Sequence, residues 1–427
     1  MDFFVQIFKD LFENAKAIGN IFSYVWFIVL PMAFYYLFKV LWLEYIRTRY
    51  GKSIKYVLLE IIPPRNVEKS PKPMESLYWG ISGVLKTFNA LEEFVKGMTT
   101  FKFSLELMSS EGTVHFYIRT PVQFRNLVEA HLYAQYPDAV IKEAPDYINE
   151  VPKIVPNREW NLWGTDFELV KPDLYPIRTF RYFEEDITGK MIDPLSGLVE
   201  TMGKLGPNQK IWFQYVIVPE YEVHKPWVTA SRAVIDKLAG RDKKQESVWS
   251  RIWSDIVDVI SNIGNALFGP VEFTKKEEAK EEAPLEFRLT PVEKEILKAV
   301  ENNFGKNAFK VKMRFIYFGK TENYDPTFIS AFVGGIKQFN DINLNSFKPY
   351  DKAKTFADYI LVEPRLRHRQ RKIFRRYRDR DTDGKTFYLS TEELATVYHL
   401  PDMSVVAPSV TYVEAKRGGA PANLPVE

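Results

Sequence analysis

The sequence predicts an α+β protein hung from a single membrane-spanning helix, and three observations carry that reading. Residues 17–38 hold no charged side chain, a run of 22. Over 55–145, period-two and period-3.6 apolar runs alternate in the order strand, helix, strand, strand, helix, strand. Aromatic residues make up 15 % of the chain, so the roughly 380 residues after the apolar run can bury a core of two or three domains.

The apolar run comes first. Residues 21–43 read IFSYVWFIVLPMAFYYLFKVLWL. About 20 such residues at 1.5 Å rise cross a hydrocarbon layer of roughly 30 Å. Trp26 and Trp42 mark its two ends, where amphipathic rings favour the membrane interface. Pro31 lies in the middle, a position membrane helices tolerate. A buried core helix is the alternative reading. A signal peptide would have a shorter apolar region followed by a small-residue cleavage site. Arg47, Arg49, Lys52 and Lys55 follow the run, while Lys9 and Lys16 before it are balanced by Asp2, Asp10 and Glu13. Lysine and arginine excess marks the cytoplasmic side. The expected location is therefore the cell membrane, single-pass, with the bulk of the chain cytoplasmic. Residues 1–20 form an amphipathic helix with Phe3, Phe4, Ile7, Phe8 and Leu11 on one face, suited to a bilayer surface or to a partner's membrane domain.

The first body domain covers 55–145. A strand over 55–62 ends at Pro63-Pro64. A helix over 74–96 carries Leu77, Ile81, Val84, Leu85, Phe88, Leu91 and Val95 on one side and stops at Gly97. Strands 101–108 and 113–120 flank Ser109-Ser110-Glu111-Gly112, a hairpin signal. Pro121 opens a helix to about residue 136, and 139–144 is a short strand. This order is the split βαβ, or ferredoxin-like, unit.

A second α/β domain is expected over 146–240 and 285–363. Its strands are 167–170, 177–184, 210–218, 310–318 and 357–362, and its helices 194–204, 226–238, 290–304 and 325–338. Residues 210–218, KIWFQYVIV, are apolar on both faces, which marks a central strand. Thr290 with Glu293 makes a capping box. An insertion over 241–284 interrupts this domain. It holds an amphipathic helix, 247–268, whose apolar face includes Trp249 and Trp253, and a charged linker, TKKEEAKEEAP. The helix suits a membrane surface, or a flap docking on the body or on a partner. The remaining segment, 364–427, holds a basic helix, a strand at 386–389, a helix capped by Ser390 and Glu393, and a strand at 409–414.

Net charge is only +3, and the basic character is local. Arg365, Arg367, Arg369, Arg371, Lys372, Arg375, Arg376, Arg378 and Arg380 fall within 16 residues beside one acid. Leu366, Ile373, Phe374 and Tyr377 would form a narrow contact stripe on that helix. Such a face fits phosphate backbone, anionic lipid or an acidic protein surface. No stretch satisfies a P-loop, and neither an HExxH nor a G-x-S-x-G motif is present. With no Cys, thiol chemistry is excluded. Asp379, Asp381, Asp383 and Gly384 match half a calcium loop, but Ser390 stands where the bidentate Glu belongs. The expectation is a non-enzyme with no cofactor and no metal.

The stretches RTPVQFRNLVEAHLYAQYPDAVI (119–141), STEELATVYHLPD (390–402) and APSVTYVEAKRGGAPANLP (407–425) resemble the membrane-anchored N-terminal region of bacterial type IV secretion and conjugative DNA-transfer ATPases. In fused members that region precedes a HerA/FtsK-like motor, whose motifs this sequence lacks. The resemblance therefore implies either a split system, in which a membrane-anchored cytoplasmic module docks a separate P-loop ATPase, or a lone accessory domain. Its further expected partners are the lipid bilayer, DNA and other copies of the chain. The competing reading is a membrane-surface scaffold that grips anionic lipid through its amphipathic helices, with no nucleic acid.

Overall fold

Residues Asp2–Ser53 form one helix of 52 residues, α1, about 78 Å long at 1.5 Å per residue. The sequence separates a surface helix over 1–20 from the span, but the backbone runs through both without a break. The computed structural model describes residues 2–64, 70–183, 193–219, 231–236, 289–401, 410 and 412, with side chains from Trp26 onward. Side chains from Trp26 to Trp42 are all exposed, and Trp26–Ser53 is long and apolar enough to cross a membrane.

Strand β1 (Tyr56–Ile62) and helix α2 (Lys72–Ser82) follow. The single helix expected over 74–96 is not formed. Helix α2 stops before Gly83, and α3 (Ala90–Phe94) starts afresh behind Asn89, whose capping box with Glu92 begins a new helix. The two pieces belong to different compact units, Met1–Tyr56 with Leu85–Phe101, and Val57–Val84 with Lys102–Glu427.

In the larger unit the chain continues through β2 (Phe103–Ser110), β3 (Thr113–Pro121), α4 (Arg125–Gln135) and β4 (Val140–Glu143). Glu111 and Gly112 both have positive φ, as a two-residue hairpin loop requires. Next come β5 (Trp160–Leu169), α5 (Ser196–Gly203), β6 (Gln209–Pro219) and α6 (Pro291–Phe304). After them are β7 (Ala308–Lys320), α7 (Thr327–Ile336), β8 (Phe347–Pro349), α8 (Val362–Asp379), β9 (Phe387–Ser390) and α9 (Thr391–Val397).

The nine strands of the described residues join one sheet, in the order β4-β1-β3-β2-β6-β7-β5-β8, with β9 also on β7. Each half repeats one pattern: β4-β1-β3-β2 in the first and β8-β5-β7-β6 in the second. The halves meet where β2 and β6 pair antiparallel. β6 is central and buried along nearly its whole length, as its two apolar faces predict. It pairs with all but the first and last residue of β7, so β9 takes the other side of β7 at Ala308–Val311, where β5 has ended.

Two expected strands are corrected. Over 177–184 the described residues form no strand. The Ile177, Arg178 and Phe180 N–H groups donate to Glu393, the Phe339 carbonyl and Thr396, so these backbone donors are satisfied by other partners. Over 357–362, Tyr359 and Leu361 are left-handed, which an extended strand does not allow. β8, three residues long, is the strand that the pattern missed. The expected helix 247–268, with Trp249 and Trp253, lies outside the described residues, as does its linker. So does most of the strand at 409–414, of which Val410 bridges to Val114.

One face of the sheet is covered by helices of both halves. Tyr78 of α2, Phe332 of α7 and Tyr398 after α9 stack edge-on against Phe309, Phe213 and Phe116. On the other face α8 lies over Trp212 and Phe318.

Candidate functional site

The structure divides the basic run of α8 between two tasks. Gln370, Ile373, Phe374 and Tyr377 form the buried stripe, with Leu366 half-buried beside it. The opposite face carries Arg367, His368, Arg371, Lys372 and Arg375, all exposed. At 100° per residue these five occupy an arc of roughly 140° and about 12 Å of helix. Arg367 pairs with Glu363 at 3.1 Å. Among the described residues nothing bonds to Arg371, Lys372 or Arg375.

The other cations of the run are engaged by the protein itself. Arg365 donates to the Asp358 and Ile360 carbonyls at 2.8 and 3.2 Å. Arg369 donates to those of Lys354 and Phe356. These bonds shape the loop that leads into α8, whose tip exposes Phe356, Tyr359, Ile360, Leu361 and Val362, Tyr359 by 95 %. Arg378 reaches the Lys153 carbonyl at 3.3 Å and lies over the Phe374 ring. Arg376 approaches Asp381 at 3.9 Å.

Arg380 is buried. It follows α8 in the left-handed conformation, which turns its side chain under the helix. Its guanidinium donates twice to Glu106 (2.8 and 3.1 Å) and twice to Asp146 (2.8 and 3.0 Å). Glu106 belongs to a polar row built by strand register. Glu106, Gln214, Arg314 and Asp166 are direct partners across β2, β6, β7 and β5, so all four side chains share the face beneath α8. Arg314 donates to Asp166 and Asp381, each at 3.0 Å, and to the Arg376 carbonyl at 2.8 Å. Lys312 pairs with Asp166 at 2.5 Å. Tyr147 donates to Glu106 at 2.7 Å and meets the Tyr377 hydroxyl at 2.8 Å.

Burial alone would push the Glu106 carboxyl up. The Arg380 charge, with hydrogen bonds from Arg380, Ser104 and Tyr147, outweighs it and brings the pKa down to about 2. Burial pushes the Lys312 ammonium down against the pull of Asp166, and raises Asp381 against that of Arg314. Each carboxylate here faces a cation, so the network clamps the C-terminal end of α8 to the sheet. Asp381, one of the half calcium loop, is committed to Arg314.

Elsewhere His115 pairs with Glu60 at 2.7 Å and His399 with Asp193 at 3.0 Å. Among the described residues no group of His, Cys, Asp and Glu is arranged to hold a metal ion. A cleft of about 250 Å³ lies between Arg181, Lys298, Asn302, Lys306 and Glu392. Glu392 takes both Lys306 and Arg181. Of the expected membrane residues, Trp26, Pro31 and Trp42 lie exposed on α1.

Glu106, Asp146, Asp166, Gln214, Lys312 and Arg314 were not singled out from sequence. A charged residue inside an otherwise apolar strand was the available signal, at Glu106, Lys312 and Arg314. No curated protein matches the chain. Residues 47–412, covering the whole sheet, the α8 face and the network beneath it, match one family, and the chain belongs to it: the family described as Domain of unknown function (DUF8128).

Proposed function

We propose that this chain is a non-catalytic module of a type IV secretion or DNA-transfer-like translocation system, anchored by α1 with its body in the cytoplasm, and that it docks a separate ATPase through α8. The observation that carries the reading is the exposed face of Arg367, Arg371, Lys372 and Arg375 beside the apolar tip Tyr359–Val362. A cationic face next to exposed aliphatic and aromatic side chains suits an acidic protein surface with an apolar centre better than it suits a phosphate backbone alone. The buried network supports a docking role, since it holds α8 by its C-terminal end while the outer face stays open. The strand order β4-β1-β3-β2, repeated as β8-β5-β7-β6, supports two ferredoxin-like units joined edge to edge. Arg47, Arg49, Lys52 and Lys55 after the apolar run support the cytoplasmic side for the body.

The test is capture of the tagged full chain from its native membrane, compared with a variant carrying Arg371→Glu, Lys372→Glu and Arg375→Glu. The reading expects a P-loop ATPase with the parent chain and its loss with the variant. Equal recovery with both would remove α8 from the contact. DNA binding that falls steeply with salt and is lost in the variant would instead assign the face to nucleic acid.

A further inference from the structure

We propose that α3 is an interfacial foot, a short apolar face laid into the headgroup layer beside the span. This rests on the reading of α1 as a membrane helix. The smaller unit folds 85–101 back against one stretch of α1. The Trp42 indole donates to the Phe94 carbonyl at 2.9 Å. Arg47 pairs with Glu93 at 2.7 Å. The Lys39 ammonium lies 5.4 Å from the Phe94 ring centre. Gly97, at φ +68, sits so close to Ile46 that a Cβ would meet that residue's backbone at 2.5 Å.

These contacts place α3 at a definite height. The charge-free run of α1 ends at Phe38, and Lys39 is the first charge after it. Phe94 lies beside Lys39 and Trp42, whereas Glu93 and Gly97 lie beside residues 46–47. The docked segment therefore covers about 12 Å of helix from the end of the apolar run, the depth at which tryptophan and lysine anchor membrane helices.

At that height α3 and its C-cap residue Val95 expose Leu91 by 73 %, Val95 by 61 % and Phe94 by 38 %. The three fall at i, i+3 and i+4, on one face of the helix. Water at that site would wet three large apolar side chains. The headgroup and acyl boundary accepts them, while Lys39 and Lys96 stand close by to meet lipid phosphates, Arg47 and Lys86 being paired with Glu93 and Glu92. The occupant is the bilayer interface, continuous with the surface that α1 presents.

The chain has no native thiol, so one introduced cysteine reports alone. Leu91→Cys, Val95→Cys and Phe34→Cys would each be spin-labelled in the full chain, reconstituted in nanodiscs containing anionic lipid. Collision with oxygen is compared with collision with a water-soluble nickel chelate. The proposal expects sites 91 and 95 to shift toward the oxygen-rich ratio of site 34. A lipid signal at 34 with a nickel-rich signal at 91 and 95 would overturn the foot and leave the span standing. A nickel-rich signal at 34 would overturn the span itself. Spin–spin broadening at 91 with neither reagent admitted would assign the face to a second copy of the chain, against the proposal.

Discussion

Arg380→Met should destabilise the body strongly and in a pH-dependent way. In the parent, Glu106 ionises at about 2 instead of the ordinary 4.5. At about 1.4 kcal/mol per tenfold change, that difference is worth about 3 kcal/mol. The sign follows from the lowered pKa. The stabilisation is present above pH 4.5 and is lost as pH falls toward 2. Without Arg380, burial dominates and the carboxyl shifts up. The variant then carries an uncompensated buried anion at pH 7, costing about 3–5 kcal/mol, and this is relieved as Glu106 takes up a proton. The assay is urea unfolding of the full chain in detergent micelles at pH 7 and pH 5, parent against variant. The difference should be largest at pH 7 and shrink at pH 5, and Glu106→Gln added to Arg380→Met should recover much of it. A loss below about 1 kcal/mol, or a loss equal at both pH values, would refute the claim that this pair clamps α8.

Further outcomes follow from the same geometry. Burial raises Glu393 to about 7 despite the N–H groups of Ser390 and Ile177, so its share of stability falls as pH rises from about 4.5 through 7. Glu393→Gln should flatten that slope, and a slope unchanged by the substitution would contradict it. Gly97→Ala forces a side chain into a left-handed position against the Ile46 backbone. It should cost about 2 kcal/mol or more, read as faster protease cleavage within 85–101, whereas parent-like cleavage would contradict the packing. Reversing Arg371, Lys372 and Arg375 together should leave the melting temperature within about 2 °C, because none touches the fold, and a large drop would show that they do.

What could be read from the chain, and what could not, divides along physical lines. Local signals held: the apolar run of α1, the both-faced strand β6, the hairpin at Glu111-Gly112, and the capping boxes at Thr290 and Ser390. Each is settled by residues within a few positions of one another. The break between α2 and α3 was hidden because the apolar spacing continues across it, although Asn89 and Glu92 carry the capping pair that begins the second helix. Residues 177–183 look like a strand, but Ile177, Arg178 and Phe180 donate to Glu393, the Phe339 carbonyl and Thr396, over 150 residues away. The row Glu106, Gln214, Arg314 and Asp166 exists only through register, which brings four distant segments side by side. Arg380 counts as one more charge in a basic run until its left-handed backbone turns it inward. The exposed cations of α8, in contrast, were legible from the run itself.

The most direct test of the docking claim is site-specific photo-cross-linking in the native membrane. A photoreactive side chain at Lys372 or Ile360 in the full chain should capture a P-loop ATPase, and one at Leu344, buried in the body, should not. Cross-links from Lys372 and Ile360 to lipid or to nucleic acid alone, with no ATPase, would contradict it.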